Sequence, residues 1–183
     1  MLPLALESGT ALWVDAAGTL LHPGRSVTAV YAESAGVSID FVNARFAPAM
    51  KRHRDLRRGD PTWSSFWKAV VADSTGNDSP ECLAKIFAHF DRPDAWRVAE
   101  GGRECLASLR ARGVRTALIS NWDTRLRKTL AQLDLLDAFD TILISGEEGV
   151  EKPDSEIFMR AAERLNVPAE RSLMVGDDPV SDK

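Results

Sequence analysis

Leu12-Trp13-Val14-Asp15-Ala16-Ala17-Gly18-Thr19-Leu20 is the stretch whose reading decides the fold. A short apolar run delivers an aspartate into a polar turn, as a buried strand does when it ends at a crevice. The same pattern recurs further along. Thr116-Ala117-Leu118-Ile119 runs into Ser120-Asn121, and Leu173-Met174-Val175 runs into Gly176-Asp177-Asp178, with Asp182 beyond. Lys152-Pro153 stands ahead of the last of these and is expected to open a helix, with Pro153 at the first helical position. In an open parallel sheet, groups just past the carboxyl ends of strands meet in one crevice.

Those side chains carry a consistent chemistry. An unpaired carboxylate at the end of a buried strand is costly, and a bound cation or a role in a reaction removes the cost. Asp15, Asp177 and Asp182 together suit Mg²⁺, a hard cation that takes oxygen ligands and usually keeps several waters. Lys152 offers a point charge to a phosphoryl oxygen and Ser120 a hydroxyl donor. Gly18 permits a tight chain reversal, and Thr19 presents a hydroxyl and a backbone N–H near an anion. A carboxylate can attack phosphorus directly, giving an aspartyl-phosphate that water later hydrolyses. Each piece alone has a plainer reading: a strand and its turn for Asp15, an exposed lysine before a helix, a polar turn for Asp177 and Asp178. Their order and shared strand context favour a site.

Outward from these segments the chain divides. Residues 1–9 read as a loose leader and Ala11–Asp15 as the first strand. From about Pro23 to Asp94 apolar residues recur at helical spacing: Ile39, Val42, Phe46 and Met50; Trp63, Phe66, Trp67, Val70 and Val71; Leu83, Ile86, Phe87 and Phe90. Arg58–Pro61 and Ser74–Asn77 read as loops between them. From about Gly101 helices and strands alternate, with strands expected at Val114–Ile119, Phe139–Ile144 and Ser172–Val175, which implies a parallel α/β sheet. The expected organisation is a Rossmann-like core of residues 1–21 and 97–183 with an inserted α-helical cap at residues 22–96.

Composition narrows the classes. The chain has 183 residues, 44% hydrophobic and 27% charged, with a net charge of −4. That excludes a global basic field for nucleic acid. No run reaches the roughly 18 apolar residues of a membrane span, and the first residues lack the basic region of a signal peptide. Cys82 and Cys105 form no paired motif, which favours reduced thiols and a cytoplasmic protein. The basic tract Lys51–Arg58 reads as a solvated helix face, and the aromatic set at Trp63, Phe66 and Trp67 as core.

Asp15-x-x-Gly18-Thr19-Leu20, Ser120-Asn121, Lys152-Pro153 and Gly176-Asp177-Asp178 with Asp182, in this order, resemble the four motifs of the haloacid dehalogenase-like hydrolases. The likeness is to the branch with a helical cap after the first strand and covers Leu12 to Asp182. It implies Asp15 as nucleophile and metal ligand, the Ala17 carbonyl, Asp177 and Asp182 as further Mg²⁺ ligands, and Thr19, Ser120, Asn121 and Lys152 as binders of a small phosphorylated substrate. Two departures stand out. Phosphatases of the family carry an acid two residues after the nucleophile, where this chain has Ala17, so reduced turnover or a binding protein without turnover are both open. The family's phosphonatases have an alanine there and use a cap lysine, for which Lys51, Lys68 and Lys85 are candidates by location. The chain also stops one residue after Asp182, where the family continues through another helix and strand. A core missing its C-terminal part is therefore expected, with Asp182 at a fraying end.

Overall fold

A computed structural model describes residues 6–182; the first five residues of the expected leader lie outside that range. The chain forms two compact units, Met1–His22 with Val98–Lys183 and Pro23–Arg97. It begins with β1 (Ala11–Val14) and β2 (Leu21–Pro23), continues through α1 (Val27–Ala35), α2 (Ile39–Arg52), α3 (Ser64–Thr75) and α4 (Pro80–Phe90), and returns along β3 (Trp96–Val98). It then alternates: α5 (Gly102–Ala111), β4 (Arg115–Ser120), α6 (Arg125–Gln132), β5 (Thr141–Ile144), the single turn α7 (Ser145–Glu148), α8 (Ser155–Leu165) and β6 (Ser172–Val175). β2 and β3 pair in a sheet of their own, and the chain passes between the units within these two strands.

The core sheet has the order β5-β4-β1-β6 and is parallel throughout. Val14 aligns with Leu118 of β4 and Val175 of β6, so β1 and β6 end at one level and β4 runs two residues further, to Ser120. Alternation sends Ala11, Trp13, Ala117, Ile119 and Leu143 to one face, where they meet Ile157, Phe158, Ala161 and Leu165 of α8. Trp13 and Phe158 stack with ring centroids 5.8 Å apart. Leu12, Leu118 and Ile144 are buried toward the opposite face, and α5 packs on β4. β6 is an edge strand whose Leu173 and Val175 stay exposed.

The helical unit has a core of its own, centred on Val42, Phe66, Val70 and Ile86. Trp63 and Phe66 meet edge to face at 5.6 Å, so the aromatic set is core packing. Ser26, Ser38 and Ser79 cap α1, α2 and α4 through their hydroxyls. Lys51, Arg52, Arg54 and Arg58 of the basic tract face solvent.

Two local expectations are corrected. Ser74 and Thr75 belong to α3 rather than to a loop, because their hydroxyls donate to the carbonyls of Val70 and Val71 one turn back and let both residues sit buried in the helix. Gly76, in the left-handed conformation, ends α3 instead. Pro153 is not the first helical residue: the Asp154 carboxylate accepts from the Glu156 N–H and starts α8 after it. Ile39 begins α2, in keeping with its helical spacing, and is 42% exposed.

Candidate active site

Asp15 is the first residue past β1, and its N–H bonds the Val175 carbonyl at 2.9 Å, extending the β1–β6 ladder. Its side chain is therefore held at the strand end, 9% exposed. Lys152 arrives from the segment between α7 and α8 and is 2% exposed. Its ammonium donates to Asp15 Oδ1 at 2.7 Å and to Asp182 Oδ1. Burial pushes the Asp15 carboxyl up; the charge and hydrogen bond of Lys152 pull it back, Asp182 adds to the rise, and the balance lies above the ordinary aspartate value.

Asp177 and Asp182 reach the same place through two close backbone approaches. Gly18 has φ +80°, and a Cβ there would lie 2.3 Å from Asp177 Oδ2. A Cβ on Gly176 would lie 1.9 Å from Asp182 Oδ2. Both carboxylates thus occupy space that only glycine leaves open. Asp182 is further held by the N–H of Asp178, 3.1 Å from its Oδ2, and by its own N–H on the Asp178 carbonyl at 2.9 Å. Carboxylate oxygens of Asp15, Asp177 and Asp182 lie within 4.8 Å of one another. Three carboxylates against one ammonium leave a net charge near −2 when all are ionised, in a place where Asp15 is shielded from water. The donor set is all oxygen, its charge matches a divalent ion, and it fits Mg²⁺. Asp178 is spent differently: its carboxylate accepts from Val180 N–H and Ser181 Oγ, closing the turn.

Ser120 ends β4, fully buried, and its Oγ has no hydrogen-bond partner among the described residues; the same holds for Thr19 Oγ1. A buried hydroxyl left unpaired costs about 1–3 kcal/mol, and an anion at the strand ends would satisfy both. Asn121 directs both ends of its amide to one residue: Oδ1 accepts from the Lys152 N–H at 2.8 Å and Nδ2 donates to the Lys152 carbonyl at 2.9 Å. Ala17 lies exposed in the turn after Asp15. Lys51, Lys68 and Lys85 are exposed on the helical unit, where water keeps their ammonium groups hydrated.

Ser145 was not among the expected residues. It follows β5 directly, is buried, and its hydroxyl both accepts from the Trp122 N–H at 3.1 Å and donates to the Trp122 carbonyl at 3.2 Å. The signal was available: Ser145 stands past the end of its strand as Asp15 does past β1. Glu148, at the end of α7, is gripped by Arg160 and Arg164 of α8.

Comparisons with known proteins agree with this architecture. Residues 10–182 match the profile of the haloacid dehalogenase-like hydrolases. The haloacid dehalogenase-like hydrolase domain-containing protein 3 of Danio rerio is 33% identical over 93% of this chain and 77% of its own length. The glyceraldehyde 3-phosphate phosphatase of Pyrococcus furiosus is 37% identical over 69% of this chain and 48% of its own length. A HAD phosphatase structure from Thermococcus onnurineus superposes with a TM-score of 0.66 at 24% identity, covering 94% of this chain and 79% of that one, which speaks for the fold. With a family profile spanning nearly the whole chain and a relative matched over 93% of it, the chain belongs to the haloacid dehalogenase-like hydrolases.

Proposed function

We propose that this hydrolase is a Mg²⁺-dependent phosphatase acting on a small phosphorylated metabolite through an aspartyl-phosphate at Asp15. The observation that carries the reading is the buried Lys152 ammonium shared by Asp15 and Asp182 beside Asp177 at one strand-end crevice. Phosphatase activity named for the Pyrococcus furiosus relative supports it. Asp15, Asp177, Asp182 and the Ala17 carbonyl would hold the metal. When bound, the ion supplies positive charge that screens the phosphoryl oxygens from the carboxylates.

The chain's own residues do the rest. An Asp15 oxygen attacks phosphorus, the new O–P bond forms as the bond to the leaving oxygen breaks, and the phosphoryl group passes to Asp15. Lys152, Ser120 and Thr19 donate to the phosphoryl oxygens as charge develops there. Water then attacks the same phosphorus, the Asp15 O–P bond breaks, and phosphate leaves. Ala17 can neither protonate the leaving oxygen nor take a proton from that water, so both protons exchange with solvent. Loss of such help costs about 10²–10⁴-fold in rate. Acyl and aryl phosphates, whose leaving groups need least protonation, are the best substrates. The two free thiols, Cys82 and Cys105, fit a reducing, cytoplasmic setting.

Phosphate release from a panel of esters, with Mg²⁺ and with EDTA, tests the reading; activity that survives Asp15→Asn unchanged would end it. Ala17 also favours a second reading, a phosphate-binding protein without turnover. Ala17→Asp separates the two: a large gain in turnover shows the rest of the machinery intact, and no gain favours the binding protein.

A further inference from the structure

We infer that Asn121 is a positioning residue for Lys152 and acts through it, not by touching substrate; this rests on the phosphatase reading above. Lysine is a poor device for fixing a charge, since its four-carbon stem has many rotamers and a compact, strongly hydrated head. The ammonium of Lys152 nevertheless sits buried between Asp15 and Asp182. What fixes the base of that stem is the Asn121 amide, which bonds the N–H of Lys152 at 2.8 Å and its carbonyl at 2.9 Å. Two antiparallel bonds to a single residue set the peptide planes on both sides of its Cα, and with them the direction in which the side chain leaves.

Asn121 is itself held. It follows Ser120, the last residue of β4, and precedes Trp122, whose N–H and carbonyl are both bonded by the Ser145 hydroxyl. The Trp122 carbonyl also accepts from the Gly146 N–H at 2.9 Å. Thus the ends of β4 and β5 are tied to each other, and Asn121 transmits that reference to a residue 31 positions later. With both amide ends committed to backbone, Asn121 sets where the lysine charge falls relative to the Ser120 hydroxyl.

The test is a cycle of Asn121→Ala, Lys152→Met and the double variant of the full chain, read as calorimetric binding of beryllofluoride in the presence of Mg²⁺. Asn121→Ala should weaken binding about 10- to 100-fold, as small displacements of a binding group do. In the Lys152→Met background it should add less than about twofold, because the group it positions is gone. A further loss of tenfold in that background, or no loss in the single variant, overturns the proposal while leaving the phosphatase reading intact. If Lys152→Met binds as tightly as the wild type, the phosphatase reading fails first. Should the double variant not fold, ¹⁵N-lysine spectra of Asn121→Ala decide: the hydrogen-bonded Lys152 ammonium signal should broaden or vanish, and a signal unchanged from the wild type refutes the assignment.

Discussion

Lys152→Met removes the ammonium while keeping a long, apolar side chain, and the consequence for stability can be worked from the site. In the wild type the lysine side chain is 2% exposed and bonded to Asp15 and Asp182, whose side chains are 9% and 5% exposed. Unit charges about 4 Å apart attract by about 4 kcal/mol at an effective dielectric of about 20. Desolvation of the three groups cancels much of two such attractions. Removing one partner alone leaves carboxylates buried without compensation, at a net cost of about 3–5 kcal/mol. For a domain of this size each kcal/mol moves Tm by about 2–4 °C, so a fall of about 6–20 °C follows. Scanning fluorimetry and urea unfolding at pH 7 with EDTA measure it. Adding Asp15→Asn should return part of the loss, since one uncompensated charge is then gone. If Lys152→Met lies within about 1 kcal/mol of the wild type, or if the second substitution makes matters worse, the charge balance described for this crevice is wrong.

Other substitutions probe separate links. Gly18→Ala places a Cβ 2.3 Å from Asp177 Oδ2 at a φ of +80°; stability should fall by about 1–2 kcal/mol, and Mg²⁺ affinity by calorimetry at least tenfold as the exposed Asp177 swings out. Ala17→Asp should raise phosphate release by about 10²–10⁴-fold on alkyl esters and less on aryl phosphates, measured as kcat/KM on both. Burial pushes the Glu148 carboxyl up, but the bonds from Arg164 and Arg160 outweigh it and hold it below the ordinary value of 4.5. The unfolded chain therefore takes up that proton first as pH falls, and Glu148 stabilises the fold fully above this range and progressively less below it. Glu148→Gln should cost about 1–3 kcal/mol at pH 7, with the deficit shrinking in acid; urea titrations from pH 7 to 3 check the trend.

The core strands were legible because each is an apolar run that stops at a polar residue, and the parallel order puts the stops on one edge: Val14 and Val175 align, with Asp15 and Asp177 just beyond them, and β4 runs two residues past that level to Ser120. Of the helices of residues 23–97, α2, α3 and α4 were legible from spacing, whereas α1 carries no apolar period that was read. What periodicity could not carry was the use of single side chains. The hydroxyls of Ser74 and Thr75 satisfy carbonyls within their own helix, so residues typical of a loop sit buried in α3. β2 and β3 are three residues each, too short for an alternation to register. At the site, Asn121 on Lys152 and Ser145 on Trp122 join positions 31 and 23 residues apart through side chain to backbone bonds, and no local pattern announces such a pairing.

The placement of β1 has a consequence for how the chain is made. This strand lies between β4 and β6, and Ala11 finds its neighbours at Arg115 and Ser172. At ribosomal rates of about 5–20 residues per second, the first of those partners emerges on the order of 5–20 s later. During that interval the four helices of residues 23–97 are complete and able to gather their own core, while Leu12, Trp13 and Val14 wait as an unpaired sticky segment. Nascent chains halted before residue 115 should therefore bind chaperones through the β1 segment around Leu12, Trp13 and Val14, and chains extended past residue 175 should not bind through it.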